Sequence, residues 1–205
     1  MEAHITVAVV AYVIGSINFA IIFSKKFKGF DVRTKGSKNA GTTNVLRTAG
    51  PKMAVLTLIC DILKGVFAVL AAMASTIMWP GLNAETLKYI AGFMVIFGHT
   101  YPVFFEFKGG KGVATAIGVL LMLNWKVGLI CLVFGLLVIA LTKYVSLGSM
   151  LAAILFPILM IFMQKGISTW EIIICFAITL LVIFNHRTNI KRIIEKKENK
   201  LSFKK

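Results

Sequence analysis

The chain has 205 residues, 58% of them hydrophobic, with a mean hydropathy of +0.86. That excludes a water-soluble domain of this size and indicates an integral membrane protein. The net charge is +15, from 23 Lys+Arg against 8 Asp+Glu, and the cations lie between apolar runs. Anionic headgroups and anionic substrates therefore suit them better than nucleic acid.

The first predicted span is Ile5–Phe23, 19 residues, about long enough to cross a bilayer core at ~1.5 Å per residue. It lacks a basic n-region and a small-residue cleavage site, so it reads as a span rather than a cleaved leader. Gly15, Ser16 and Asn18 near its end indicate close helix contact or a polar lining. A polar loop follows, from Lys25 to Pro51. The second span, Met53–Ala74, contains Asp61 and Lys64, three apart and so on one helical face. The pattern favours a structural ion pair over a direct substrate role, because charges in lipid are costly and usually paired. Trp79, Pro80 and Asn83 mark an exposed turn. The third span is Leu87–Phe105, with His99 near its end; the fourth, Val113–Leu123, is short for a crossing. Val127–Leu141, Val145–Met163 and Ser168–Phe184 complete seven. From Asn185 a basic tail is expected, one or two amphipathic turns and then frayed. The cysteines Cys60, Cys131 and Cys175 each lie within an apolar run and read as packing residues.

Charge sets the orientation. With seven spans, 19 Lys/Arg fall on one side, three (Lys88, Lys126, Lys165) on the other, and Lys64 within a span. The positive-inside rule then puts the polar loops and the C-terminus in the cytoplasm and the N-terminus outside. The expected fold is an all-α, seven-helix membrane protein, a single polytopic domain over residues 1–205 with a basic tail from about 186.

Three polar clusters fall on the cytoplasmic side. Gly36–Arg47, GSKNAGTTNVLR, combines small residues, five hydroxyl or amide side chains and two cations, with no acid. A glycine-rich turn can aim successive backbone N–H groups into an anion nest, and Thr42–Ala49 can open a helix whose N-terminus faces the same anion. An ordinary polar loop between two helices would also accept these residues. Gly109–Thr115, GGKGVAT, offers a flexible backbone, a point charge at Lys111 and a helix start that includes Thr115. It lacks the upstream glycine and Lys-Ser/Thr pair of a Walker A loop. NHRTNIKR places His186 and Asn189 on one helical face.

No His-x4-Asp motif is present, since the fifth residues after His4, His99 and His186 are Val9, Phe104 and Lys191. That argues against the acyl-CoA-dependent glycerolipid acyltransferases. No Gly-x-Ser-x-Gly elbow occurs, and three scattered histidines argue against a catalytic metal.

GSKNAGTTNVLR, GHTYPVFFEFKGGKGVAT and NHRTNIKR, in this order and separated by spans, resemble the bacterial acyl-phosphate glycerol-3-phosphate acyltransferases, the PlsY family. The resemblance covers nearly the whole chain. It implies an inner-membrane enzyme that moves an acyl group from acyl phosphate to the 1-hydroxyl of glycerol 3-phosphate, giving lysophosphatidate and phosphate without a cofactor. By motif match, Ser37, Arg47, Lys111, His186 and Asn189 fall where the family's active-site residues lie. Three departures stand out: Lys38 where the motif commonly has Gly, Asn18 where Pro is common, and Asn185 where Arg is common.

On this reading Ser37, Lys111, His186 and Asn189 are the catalytic set. Asn39, Gly41, Thr43, Asn44, Gly109, Gly110, Gly112, Thr115 and His99 bind substrate. Lys111 and Arg47 neutralise phosphate charge, His186 and Asn189 position glycerol 3-phosphate, and either His186 or a substrate phosphate takes the hydroxyl proton. The expected partners are the two substrates and membrane lipid. The alternative is a transporter for organophosphate anions, suggested by the Asp61–Lys64 pair and the polar Ser16–Asn18 face. No inverted repeat supports it.

Overall fold

The computed structural model describes residues 2–201 and is helical, with no strand among them. The helices are α1 (Glu2–Ser16), α2 (Phe19–Lys28), α3 (Thr42–Ala49), α4 (Pro51–Met78), α5 (Ala84–Thr100), α6 (Val113–Leu123), α7 (Trp125–Thr142), α8 (Val145–Met163), α9 (Thr169–Asn185) and α10 (Arg187–Ile194). The chain forms two compact units, one ending at Leu123 and one beginning at Asn124.

In the first unit the expected first span is longer than anticipated and broken. Asn18 leaves the helical conformation and its side-chain carbonyl accepts from Ile21 N (3.1 Å), starting α2 as a separate helix. An amide that caps a helix start in this way does what a helix-breaking proline would do otherwise. The expected third span shortens to α5. It stops at Thr100 because Tyr101 precedes Pro102, and proline disfavours helical backbone in the residue before it. Asn83 caps its start, accepting from Glu85 N at 2.9 Å.

Glycine sets the helix crossings. A methyl at Gly15 of α1 would overlap the Val95 carbonyl of α5, and one at Gly98 of α5 would overlap the Tyr12 carbonyl of α1. α4 and α6 cross in the same way, with Gly65 against the Thr115 carbonyl and Gly118 against the Ile62 carbonyl. Between helices in lipid no hydrophobic force operates, so close backbone approach supplies the packing. Apolar side chains on the opposite faces, Ile59, Leu63, Phe67 and Leu70 of α4 among them, stay exposed and make a lipid-facing stripe.

In the second unit Gly135 of α7 meets Gly148 of α8, and Thr179 Oγ1 of α9 donates to the Ala153 carbonyl of α8 at 2.8 Å. Ser168 and Glu171 form a reciprocal capping box at the start of α9. α9 and α10 meet at His186 with a bend of 56°.

Among the described residues four helical stretches are long and apolar enough to cross a membrane: Glu2–Lys28, Pro51–Met78, Trp125–Thr142 and Val145–Met163. α9 and α10 make a fifth if the bent pair is counted as one span. α5 has 17 residues and α6 has 11, about 26 and 17 Å of helix against a hydrocarbon core of about 30 Å.

Candidate active site

The first polar loop is folded by its own side chains. Gly29, at φ +70°, closes α2. Asp31 then caps a single 3₁₀ turn through Arg33 N (2.9 Å), and pairs with Arg33 (2.8 Å) and Lys25 (3.3 Å). The Arg33 hydrogen bond is the main force that lowers the Asp31 carboxyl from 3.8 to about 2. Asn44 is the hub. It is 1% exposed; its amide nitrogen lies 2.9–3.0 Å from the carbonyls of Val32, Lys35 and Asn39, and its oxygen accepts from Ser37 N at 2.8 Å. Gly36 (φ +58°) is required here, because a methyl would overlap Asn44 Oδ1. Beneath the loop a small apolar core of Ala20, Ile21, Val32, Ala40, Val45 and Ala54 holds it to α2, α3 and α4.

The expected helix over Thr42–Ala49 is α3. Its N-cap is Gly41, which brings no capping side chain, and the Thr42 hydroxyl is buried without a hydrogen-bond partner among the described residues. Ser37, Asn39 and Thr43 are half-buried and Arg47 is exposed. Lys38, where the family motif commonly has glycine, adopts φ +60°. That is the left-handed region, which glycine enters at no steric cost.

The second loop doubles back on α5. Gly109 N donates to the Thr100 carbonyl (3.0 Å) and Gly110 N to the His99 carbonyl (3.1 Å), so the loop satisfies two carbonyls that the end of α5 would otherwise leave open. A methyl at Gly109 would overlap the His99 carbonyl, and Gly112 sits at φ +83°. The loop presents Lys111, half-buried, and then starts α6 at Val113. Thr115 lies in the first turn of α6, fully buried, with its hydroxyl unpartnered among the described residues.

The two loops are one structure. Gly110 is wedged between the Ala40 carbonyl and the edge of the His99 ring. Arg33 Nη1 donates to the Phe105 carbonyl at 2.9 Å. Ser37, Asn39, Gly41, Thr43, Asn44, Arg47, Gly109, Gly110, Lys111, Gly112 and Thr115 thus belong to a single region of the first unit. His99 underlies it, 3% exposed.

His186 and Asn189 lie in the second unit, 2% and 4% exposed. His186 Nδ1 donates to the Val182 carbonyl at 2.8 Å, which makes Nε2 the proton-accepting nitrogen of the neutral ring. Asn189 Nδ2 donates to Glu198 Oε1 at 2.7 Å. Glu198 also accepts from Ser146 Oγ (2.9 Å) and Arg192 Nε (2.8 Å). Burial pushes its carboxyl up, but these three donors outweigh burial and hold it below its ordinary value of 4.5.

The expected frayed tail is therefore corrected through Leu201, whose N–H donates to the Lys143 carbonyl at 2.7 Å; Ser202 to Lys205 lie outside the described residues. Sequence reasoning missed Glu198 because an acid among lysines suggests a solvated ion pair. The signal was that it stands nine residues after Asn189, with an apolar Leu201 close behind.

Residues 5–196 match the family described as Glycerol-3-phosphate acyltransferase. A glycerol-3-phosphate acyltransferase of Clostridioides difficile (strain 630) is 43% identical over 99% of this chain and 98% of its own. One from Thermoanaerobacter sp. (strain X514) is 45% identical over 96% and 95%. Two crystal structures of PlsY (YgiH), an integral membrane glycerol 3-phosphate acyltransferase, share 35% identity with this chain. The glycerol 3-phosphate form superimposes with a TM-score of 0.86 over 97% of this chain and 96% of that one. The lysophosphatidic acid form gives 0.83 over 97% and 95%. Membrane-length apolar helices, two glycine loops joined at Gly110 and likeness along nearly the whole chain agree, and the chain belongs to the glycerol-3-phosphate acyltransferases of the PlsY family.

Proposed function

We propose that the acyl donor is an acyl phosphate, that the acceptor is the 1-hydroxyl of glycerol 3-phosphate, and that the products are lysophosphatidate and inorganic phosphate. The observation that carries this reading is the junction of the two loops, which gathers two anion-binding motifs into one region of the first unit. The solved PlsY relative, with glycerol 3-phosphate and lysophosphatidic acid forms, supports the acceptor and the product.

The chemistry asks little covalent work of the protein. The acceptor oxygen bonds to the acyl carbon, the bond from that carbon to the phosphate oxygen breaks, and a substrate phosphate oxygen takes the hydroxyl proton. No enzyme nucleophile is needed, because phosphate is already a good leaving group. Binding two anions together and stabilising charge on the departing phosphate supply the rate. Lys111 and Arg47 neutralise that charge, and Ser37 donates to one of the phosphates. Asn39, Gly41, Thr43 and the glycines around Lys111 cradle phosphate oxygens, with Gly41 leaving the start of α3 uncapped by any side chain. Asn44 contributes by shaping the nest. His186 and Asn189 position glycerol 3-phosphate.

The chain crosses a bacterial inner membrane seven times, through α1 with α2, then α4, α5, α6, α7, α8 and α9. The N-terminus is outside, and the site and C-terminus face the cytoplasm. The charge asymmetry supports this, 19 Lys/Arg against three. The test is turnover of the purified protein in detergent with acyl phosphate, acyl-CoA or acyl-carrier protein as sole donor. Acyl phosphate alone is expected to support the reaction; turnover with acyl-CoA and none with acyl phosphate would overturn it. Cysteines introduced at Lys38, Glu106 and Lys200 should label only from the cytoplasm, and one at Ala84 only from outside.

A further inference from the structure

Beneath the second loop lies a charged cluster that phosphate binding does not use. Asp61 and Lys64 of α4 are 0% and 4% exposed. Lys64 Nζ lies 2.9 Å from Asp61 Oδ1, 2.9 Å from His99 Nδ1 and 2.8 Å from the Ile17 carbonyl. That carbonyl is at the break before α2. Ile21 N, its partner in an unbroken helix, is bonded to Asn18 Oδ1 instead. Asp61 Oδ1 stands 3.6 Å from His99 Nδ1.

A pair that only locked helices together would need no imidazole. Here the imidazole has two working edges. Nδ1 faces the ion pair. The other edge faces the loop: a methyl on Gly110 would overlap Nε2 and stand 3.0 Å from Cε1 and 2.6 Å from the Ala40 carbonyl. An ammonium can only donate, so Nδ1 accepts and the neutral ring carries its hydrogen on Nε2.

We propose that Asp61, Lys64 and His99 form a positioning network, in which Lys64, balanced by Asp61, fixes the His99 ring so that its far edge becomes the wall against which Gly110 and Ala40 pack, setting the place of Lys111. This rests on the reading that the Gly109–Gly112 loop holds a substrate phosphate. It makes His99 a positioning residue rather than a substrate contact. It also gives the buried charges a use: Asp61 and Lys64 orient a neutral ring at the base of a loop that must not move. Small misplacements of a binding group cost far more than their size suggests.

Two variants of the full-length protein in detergent separate the network from general stability. His99→Asn keeps an acceptor near Nδ1 for Lys64 and removes the far edge. Asp61→Asn with Lys64→Met keeps the ring and removes its clamp, a replacement of a buried pair by neutral groups that cores often tolerate. Each is expected to lower kcat by about ten- to a hundredfold, because a displaced Lys111 no longer meets the charge on the departing phosphate. The KM for glycerol 3-phosphate, which His186 and Asn189 position, should stay within about threefold, and the thermal midpoint should stay close to wild type. If one variant fails to fold, the other decides. Lys111→Ala is measured in parallel. A folded variant with wild-type kcat, beside an inactive Lys111→Ala, overturns the positioning network and leaves the loop reading intact. A loss confined to the KM for glycerol 3-phosphate also overturns it, because His99 would then touch that substrate. An active Lys111→Ala overturns the loop reading and the network with it.

Discussion

The polar region of the first unit and that of the second are built on opposite plans. In the first, side chains and loops bond to backbone: Asn44 gathers the Val32, Lys35 and Asn39 carbonyls, Gly36, Gly109, Gly110 and Gly112 admit close approach or left-handed turns, and Ser37, Asn39, Thr43 and Lys111 stand half-buried at the edge. In the second, side chains bond to side chains: Ser146, Asn189 and Arg192 converge on Glu198, whose side chain is 5% exposed, and Asn189 is buried. A region made of backbone is damaged by adding an atom. A region made of side chains is damaged by removing one.

The largest expected effect falls on the group that the backbone plan exists to present. Lys111→Ala should cut turnover by at least roughly a hundredfold. Lys111→Arg should remain badly impaired, since a forked guanidinium does not replace a point charge. Near-normal activity of the alanine variant would return the glycine loop to a simple hinge. Adding one methyl is the sharper test of the plan itself. Gly110→Ala, which collides with His99 and Ala40, should cost about tenfold or more in kcat/KM. Gly29→Ala, left-handed but with nothing within 4 Å, should cost only about 1 kcal/mol of stability. Equal activity losses in the two would show that close approach is irrelevant.

Removing an atom set is the corresponding test in the second unit. Glu198→Ala leaves Ser146, Asn189 and Arg192 without their shared acceptor and should lower stability by about 1–3 kcal/mol, measured as a fall in thermal midpoint. An unchanged midpoint would remove Glu198 from the structure's support. A smaller effect is expected at His186. His186→Gln should raise the KM for glycerol 3-phosphate while kcat stays measurable at saturation. A kcat loss beyond about a hundredfold, together with loss of an acid-limb pKa present in wild type, would make His186 the general base.

The smallest effect is acid-dependent. Asp31 has a folded value near 2 against an ordinary 3.8. Its stabilisation of the first loop is therefore present above about pH 4 and is lost as pH falls toward 2. The difference in thermal midpoint between wild type and Asp31→Asn should shrink over that range. A constant difference would mean that Arg33 and Lys25 do not hold it as an anion.

The sequence carried the organisation of the first unit more fully than that of the second, for the same reason. Glycines, hydroxyls and absent acids announce a backbone nest locally, so Thr42–Ala49 was legible as a helix and Gly109–Gly112 as a loop. The helix break was visible only as a cluster of small and amide residues. Its cause, Asn18 capping α2, is a hydrogen bond three residues long that composition does not display. Lys38 stood out only as a departure from a common glycine, and the structure supplies the reason in its left-handed backbone. Asp61 and Lys64 were legible as a pair because helix periodicity joins them. His99, 35 residues beyond Lys64, was not, since nothing local couples α4 to the end of α5. Glu198 was missed because its three donors are scattered between Ser146 and Arg192.

The reuse of the Thr100 and His99 carbonyls by Gly109 and Gly110 has a consequence for biogenesis. The loop is the terminator of the helix before it, so it takes shape once the end of α5 is wound. Its other contacts, at Ala40 and Arg33, come from chain made earlier still. Every component of the two joined loops has therefore been polymerised before Asn124 is added. The contacts between the two loops are available to form while the remaining helices are still being made.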